Sequence, residues 1–112
     1  MPVFRTVDVA AEPVVFLSPW KVFQLADGSI HLCGGVGFFG GRVSSAVVSF
    51  DYEKATAKTI TGRTYELTGR PGVDTDAAYV WQQWSAGNAI SSWVDVTDEV
   101  WEKIEAEARR QL

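Results

Sequence analysis

The sequence predicts an α+β fold: an antiparallel, strongly bent sheet of about five or six strands, with two C-terminal helices packed against it. Short apolar runs of strand length fill the chain before Arg70, glycine turns separate them, and helical periodicity begins only after Gly72. Strands followed by helices are typical of α+β proteins. A chain of 112 residues has the size of one domain, so we expect residues 1–112 to form a single globular domain.

Two short apolar runs near the N-terminus are expected to be strands. They are Val3-Phe4 and residues 14–17, and Pro13 and Pro19 bracket the second run. Proline has no N–H to donate to a neighbouring strand. Both prolines should therefore lie at strand ends or on an edge.

Asp27-Gly28 predicts a β-hairpin with a two-residue type I′ turn. Such a turn sets the register, so that Leu25 faces Ile30 and Phe23 faces Leu32. These four apolar side chains then share one face of the hairpin. The opposite face carries Val22, Gln24, His31 and Cys33.

Two further strand regions are expected before the helices. Residues Val43–Phe50 are rich in Val and Ser and predict one long strand. Lys54–Thr68 predicts a second hairpin around Thr61-Gly62. In this hairpin Tyr65 and Leu67 face one side, while the other side carries Thr64, Glu66 and Thr68.

The first predicted helix follows the break at residues 70–72. Asp74 or Thr75 is expected to cap its N-terminus, and Gly87 is expected just beyond its C-terminus. The apolar residues fall at the i, i+3, i+4 and i+7 spacing of one helix face. They are Ala77, Val80, Trp81 and Trp84.

A short strand at Ala89–Val94 and a second helix complete the expected order of elements. Asp95 or Thr97 should cap this helix, which is expected to end near Arg110. Acidic residues at its start and basic residues at its end match the helix dipole. Its expected buried stripe is Val100, Trp101, Ile104 and Ala108.

Charge and composition exclude several classes of protein. The net charge is −4, with seven basic and six acidic side chains in residues 1–73 and three basic and eight acidic in residues 74–112. The acidic third disfavours direct nucleic-acid binding and suits a protein partner with a basic surface. The ordinary share of apolar residues excludes intrinsic disorder, a collagen and a coiled coil.

One Cys and one His exclude an internal disulfide and a four-ligand zinc site, so we expect no metal and no cofactor. The first residues, MPVFRTVDVA, lack the charged region and apolar run of a signal peptide, so we expect none, and no apolar run has the length of a membrane span. We therefore expect a cytoplasmic protein without membrane contact.

Two weak motifs invite catalytic or nucleotide-binding interpretations. Gly35–Gly40 fits G-x-G-x-x-G, but strand-like residues follow it where a nucleotide site needs a helix. His31 and Cys33 lie two apart on one strand face, about 6.5–7 Å at the backbone, which is long for a direct hydrogen bond. We interpret them as a structural pair, which leaves no catalytic residue.

Exposed aromatic and acidic side chains are the predicted partner-binding residues, because aromatic residues dominate many interface hot spots. They are Phe38, Phe39, Tyr79, Trp93, Asp98, Glu99, Glu102 and Glu105. Three arginines beside glycine turns could form an anion-binding patch if those turns meet at one end of the sheet. They are Arg42, Arg63 and Arg70.

The segments TGRTYELTGRPG (residues 61–72), DGSIHLCGG and GGRVSSAVVSFD resemble small accessory proteins carried by phages and mobile elements, over residues 20–95. That group includes inhibitors of host defence such as anti-CRISPR proteins, which cover a site on their target. The absence of a catalytic set, the acidic C-terminal third and the many aromatic residues favour a non-enzymatic protein-binding module. The resemblance implies that such a module inhibits a host complex by occlusion. One alternative is a small-molecule or anion-binding domain, or a small enzyme, that uses the glycine-rich loop. The other is a homo-oligomeric structural protein, such as a homodimer.

Overall fold

The computed structural model describes residues 9–38 and 40–112, within which the chain forms two helices and eight strands. The strands are β1 (Val14–Leu17), β2 (Trp20–Leu25), β3 (Ile30–Gly35), β4 (Gly41–Val43), β5 (Val47–Asp51), β6 (Thr56–Thr59), β7 (Thr64–Leu67) and β8 (Trp93–Asp95). The helices are α1 (Thr75–Gly87) and α2 (Thr97–Arg110). The predicted strand at Val3-Phe4 lies outside the described residues, as does Phe39.

The eight described strands form two sheets of four. Sheet A has the order β1-β7-β6-β5, and sheet B has the order β4-β3-β2-β8. β1 pairs with β7 in parallel, whereas the other strand pairs are antiparallel. The α+β class and the two late helices are confirmed, but the expected single antiparallel sheet of five or six strands is wrong.

The predicted long strand at Val43–Phe50 is instead two strands in different sheets. Ser44 is fully buried between them, and its hydroxyl accepts a hydrogen bond from the N–H of Leu32 (2.8 Å) while donating to the carbonyl of Ser45 (2.7 Å). These bonds hold a bend after β4, because a buried hydroxyl is stable only when it is hydrogen-bonded. The chain therefore leaves sheet B at Val43 and enters sheet A at Val47.

The β2–β3 hairpin forms as expected, but its register differs by one residue. Phe23 faces His31 and Val22 faces Leu32. The loop is one residue longer than predicted, since the N–H of Leu25 donates to the carbonyl of Ser29 and Gly28 adopts a positive φ of 90°. A one-residue shift exchanges the two faces of one strand relative to the other. The predicted face that joined Phe23 with Leu32 is therefore wrong.

Sheet B consequently separates two apolar clusters. Its core face carries Trp20, Val22 and Leu32, which are buried against sheet A and α2 in the main hydrophobic core. The opposite face, which we call the helix face because α1 packs on it, carries Phe23 and Cys33. These two residues pack with residues of α1 in a second, smaller cluster. The two helices thus lie on opposite faces of the same sheet.

Helix α1 begins as predicted and ends slightly later. The Asp74 carboxylate caps it by accepting a hydrogen bond from the N–H of Ala77. Gly87 is still helical, and the residue with the left-handed backbone is Ala89 (φ 55°). The helix approaches β4 closely, because a Cβ on Gly41 would lie 2.3 Å from the Cα of Ala77.

The remaining local predictions largely agree with the structure. β6 and β7 form the second hairpin around Gly62 (φ 91°), with Tyr65 and Leu67 buried on one side. α2 ends at Arg110 as predicted, but its N-cap residue is Val96 and not Asp95 or Thr97, although the Asp95 carboxylate accepts the N–H of Thr97. Ala108, predicted in the buried stripe of α2, is exposed. Among the described residues, neither helix has the length and apolar character needed to cross a bilayer.

Candidate functional site: an aromatic groove between α1 and β8

A groove of about 310 Å³ opens on the helix face of sheet B, beside α1. α1 packs mainly against β3 and β4, and the groove lies on the β2 and β8 side of this face. Side chains of β2, β3 and β8 form the floor, and α1 together with the segment 72–74 forms the wall. We refer to this feature as the groove.

Three aromatic rings supply most of the apolar lining of the groove. Phe23 packs against Trp81 with ring centroids 4.5 Å apart, and Trp93 meets Trp81 edge-on at 5.3 Å. Trp93 also meets Phe23 edge-on at 6.4 Å and stays 40% exposed. Edge-on and tilted contacts of this kind add stability beyond the area that they bury.

The indole of Trp81 has an unsatisfied hydrogen-bond donor. Trp81 is 4% exposed, and among the described residues its Nε1 has no hydrogen-bond partner. By contrast, the Nε1 of Trp20 donates to the carbonyl of Gly69 at 3.1 Å. Buried indole N–H groups normally find an acceptor, so Trp81 is the exception that needs an explanation.

Charged side chains lie along the groove. Lys21 donates to the Asp95 carboxylate at 3.1 Å, and both side chains are partly exposed. Partial burial raises the pKa of Asp95, but hydrogen bonds from Thr97 and Lys21 outweigh it and leave that pKa below its ordinary value. Asp74, the cap of α1, is the second carboxylate in the lining. The lining thus carries two acidic groups and one basic group.

The single cysteine lies beneath the groove in a form unsuited to nucleophilic attack. Its thiol donates to the carbonyl of Ala77, and burial, reinforced by the Asp74 charge, raises the pKa of Cys33 to about 12. The thiolate is the reactive form of cysteine, and it is scarce at neutral pH with such a pKa. His31 shares this face, but its Nδ1 bonds the carbonyl of Ser44 (2.8 Å).

The aromatic residues that were predicted to bind a partner are exposed to different extents and lie in different elements of the fold. Phe38 is 98% exposed in the β3–β4 connection, and Tyr79 is 62% exposed on α1. Trp93 is the member of the predicted partner-binding set that lines the groove. Phe39 lies outside the described residues.

The four predicted acidic contacts are all exposed on α2, which lies across sheet B from α1. They are Asp98, Glu99, Glu102 and Glu105. Asp98 and Glu99 occupy the first turn of α2, shortly after Asp95 in the chain. The acidic surface therefore begins near the β8 end of the groove and extends away from α1.

The three predicted anion-binding arginines are placed differently from one another. Arg42 forms an ion pair with the Glu12 carboxylate at 2.8 Å, and the Nε of Arg63 donates to the Glu12 carbonyl at 2.9 Å. Arg63 precedes β7 and Arg70 follows it, so these two lie at opposite ends of a strand. Arg42 and Arg63 thus converge on Glu12, while Arg70 is exposed elsewhere.

The glycine-rich segment connects two antiparallel strands. Gly35 faces Gly41 in the β3–β4 pair, and the N–H of Val36 donates to the carbonyl of Gly40. A strand follows Gly40, whereas a dinucleotide site needs the N-terminus of a helix at this point. In the ranges 9–38 and 40–112, no three His, Cys, Asp or Glu side chains cluster as metal ligands.

Sequence reasoning missed most of the groove. The sequence places Phe23 on an apolar face of the predicted hairpin and Trp81 on the apolar face of α1. It predicts Asp74 and Asp95 as candidate helix caps and assigns no role to Lys21. The expectations for Trp81 and Asp74 are confirmed, since Trp81 is buried and Asp74 caps α1. The one usable signal was the number of tryptophans, because each buried indole N–H requires an acceptor.

The chain matches no protein-family model, no curated protein sequence and no solved structure.

Proposed function

We propose that this protein is a non-enzymatic binding module that holds an apolar side chain of a partner protein in the groove. The unsatisfied N–H of Trp81 supports this proposal most strongly. A buried donor without an acceptor costs about 1–3 kcal/mol. A carbonyl on a bound segment would supply the missing acceptor, so binding recovers energy that the free protein lacks.

Trp93 is the side chain best placed to give access to that donor. The Nε1 of Trp81 is covered, and Trp93 packs edge-on against the same ring from a three-residue strand at the end of sheet B. Trp93 is also the most exposed of the three rings that line the groove. We expect a small shift of the Trp93 ring to open a path to Trp81 when a partner binds.

Charge favours a partner segment with basic residues beside its apolar anchor. Asp74 and Asp95 outnumber Lys21 in the lining, and Asp98 and Glu99 follow at the start of α2. Opposite charges at an interface steer association and set orientation. In the wider role that the mobile-element resemblance implies, the protein covers a basic surface of a host defence complex and acts by occlusion.

The test blocks the groove without altering the core. Ala78 is an exposed residue of α1 that lines the groove, so an Ala78→Arg variant fills it with a long side chain. Ala86→Arg makes the same change at an exposed site of the same helix outside the lining. Both variants are compared with the wild type for binding to short synthetic peptides that carry a central phenylalanine between lysines.

We expect Ala78→Arg to weaken binding by about tenfold or more, because central apolar anchors carry most interface energy, while Ala86→Arg binds like the wild type. Equal binding by all three proteins would contradict the proposal. Circular dichroism and thermal melting of both variants show that the fold is retained.

A small apolar molecule is the second candidate occupant. The groove volume of about 310 Å³ lies at the lower end of the range, roughly 300–1,000 Å³, of small-molecule pockets. This candidate predicts that a compound from a metabolite panel raises the melting temperature of the wild type and of Ala86→Arg, but not of Ala78→Arg. A shift that Ala78→Arg retains would contradict this candidate.

A further inference from the structure

The outer edge of β8 carries backbone groups that are free to bind another strand. β8 is the last strand of sheet B, and its residues pair with β2 on one side. The N–H of Val96 donates to the carbonyl of Val22, in register with the Gln24–Val94 pair. Hydrogen-bonded pairs alternate along antiparallel strands. The N–H and C=O groups of Trp93 and Asp95 therefore point away from β2.

Two other outer strands in the described part of the chain, β4 and β5, are protected, whereas β1, the remaining outer strand, contributes no residue to the groove. α1 covers β4 so closely that Gly41 has no room for a side chain beside Ala77. The outer strand β5 carries a bulge between Val47 and Ser49, which interrupts regular pairing with any further strand. Bulges and covering helices are common protections of sheet edges. Among the described residues β8 has neither a bulge nor a covering helix, and it is three residues long.

The open edge and the groove are parts of one surface. Trp93 and Asp95, whose backbone groups point outward, are also the β8 residues whose side chains line the groove. Side chains alternate between the faces of a strand. In a strand added beside β8, every second side chain would point to the helix face, next to Trp93 and Asp95.

We infer that the partner segment binds in extended form as a fifth strand of sheet B, pairing with Trp93 and Asp95 and placing an apolar side chain in the groove. This inference rests on the proposed function and specifies its partner: a peptide segment with alternating apolar residues and flanking Lys or Arg. Asp95 and the acidic first turn of α2 lie at the end of β8 and complement those basic residues. Strand addition of this kind obtains affinity from main-chain hydrogen bonds and specificity from alternate side chains.

Residue-resolved amide exchange tests the inference. The probe is a synthetic peptide with alternating valine and lysine residues and a central phenylalanine, added to the wild type and to Ala78→Arg. We expect the amides of Trp93 and Asp95 to exchange about tenfold or more slowly when the peptide binds, because they gain hydrogen bonds. The amides of Val94 and Val96 already face β2 and should change much less. A peptide with N-methyl groups on the residues that pair with β8 should lose binding, whereas one methylated on the intervening residues should retain it.

The outcomes separate this inference from the proposed function. Peptide binding that Ala78→Arg abolishes, without protection of Trp93 and Asp95, overturns strand addition and supports the groove. Absence of any peptide binding contradicts both. The amides of Trp93 and Asp95 could instead become protected from exchange without peptide, as the protein concentration rises. That result would show that the edge of β8 binds a second copy of the chain, and it would overturn the inference.

Discussion

The two faces of sheet B carry or pack against the same kind of residue in different hydrogen-bonding states. On the core face, Trp20 is completely buried and its indole donates to the carbonyl of Gly69. On the helix face, Trp81 is nearly as buried but its indole has no partner among the described residues, and Trp93 remains partly exposed. On the core face, the indole donor of Trp20 finds its acceptor within the same chain. On the helix face, the indole donor of Trp81 lacks an acceptor among the described residues, which suits a surface that binds a partner.

The largest expected effect comes from truncating the core face. Trp20→Ala should lower the free energy of unfolding by about 3–5 kcal/mol, because it leaves a cavity in the main core. Trp93→Ala, on the helix face, should cost less than about 2 kcal/mol, since Trp93 is already partly exposed. Urea denaturation of both variants measures the difference. Similar losses would remove the distinction between the two faces.

The contact between α1 and β4 defines the closed side of the helix face. Gly41→Ala should lower the free energy of unfolding by about 1–3 kcal/mol, because the new Cβ meets the backbone of α1 at Ala77. Gly72→Ala is the matched control, since its Cβ would make only an ordinary contact with Pro19 at 3.5 Å. Equal stability of the two variants in thermal melting would contradict this close approach.

Alkaline pH should expose the burial of Cys33 beneath the groove. The pKa of this thiol is raised from 9.0 to about 12 in the folded protein, so the unfolded chain releases its proton first. The contribution of the Cys33 thiol to the free energy of unfolding is therefore fully present below pH 9.0. It is lost as the pH rises toward about 12, at up to about 1.4 kcal/mol per pH unit.

Cys33→Ala should flatten this part of the pH profile, whatever its effect at neutral pH. The raised pKa of Tyr65, caused mainly by burial, acts in the same direction and remains in the variant. The midpoints of urea denaturation, measured from about pH 8 to about pH 11, give the slope of stability against pH over the range in which both groups ionise. A slope that the substitution leaves unchanged would show that the thiol is accessible in the folded state.

The smallest effect is expected at the end of α1. Ala89 has a left-handed backbone (φ 55°), so Ala89→Gly should raise the free energy of unfolding by about 0.5–1 kcal/mol. Ala86→Gly, inside the same helix, should lower it by a similar amount, about 0.5–1 kcal/mol. Changes of the same sign in both variants, measured by chemical denaturation, would contradict the assigned backbone at Ala89.

Local chemistry predicted much of the secondary structure from the sequence. Asp74 as a cap, the hairpin turn at Gly62 and the end of α2 at Arg110 all depend on residues within a few positions of one another. The two-sheet arrangement does not. It depends on Ser44 bonding to Leu32, twelve positions away in the chain, which no local pattern reveals.

The candidate site was harder to predict because distant segments build it. β8 reaches β2 across about seventy residues of chain, and that pairing brings Trp93 beside Phe23. Trp93 could be singled out as an aromatic residue without a clear helical or core position. Trp81 could not, since its apolar spacing fits the buried face of α1 and only the structure shows that its Nε1 lacks an acceptor.

The most direct test of the account follows the two indole N–H signals by nuclear magnetic resonance while the lysine-flanked phenylalanine peptide is added. The account predicts that the Nε1 proton of Trp81 shifts downfield as it gains an acceptor, whereas that of Trp20, already bonded to Gly69, stays in place. A peptide that binds while the Trp81 signal is unchanged would contradict the claim that the unsatisfied indole marks the binding surface.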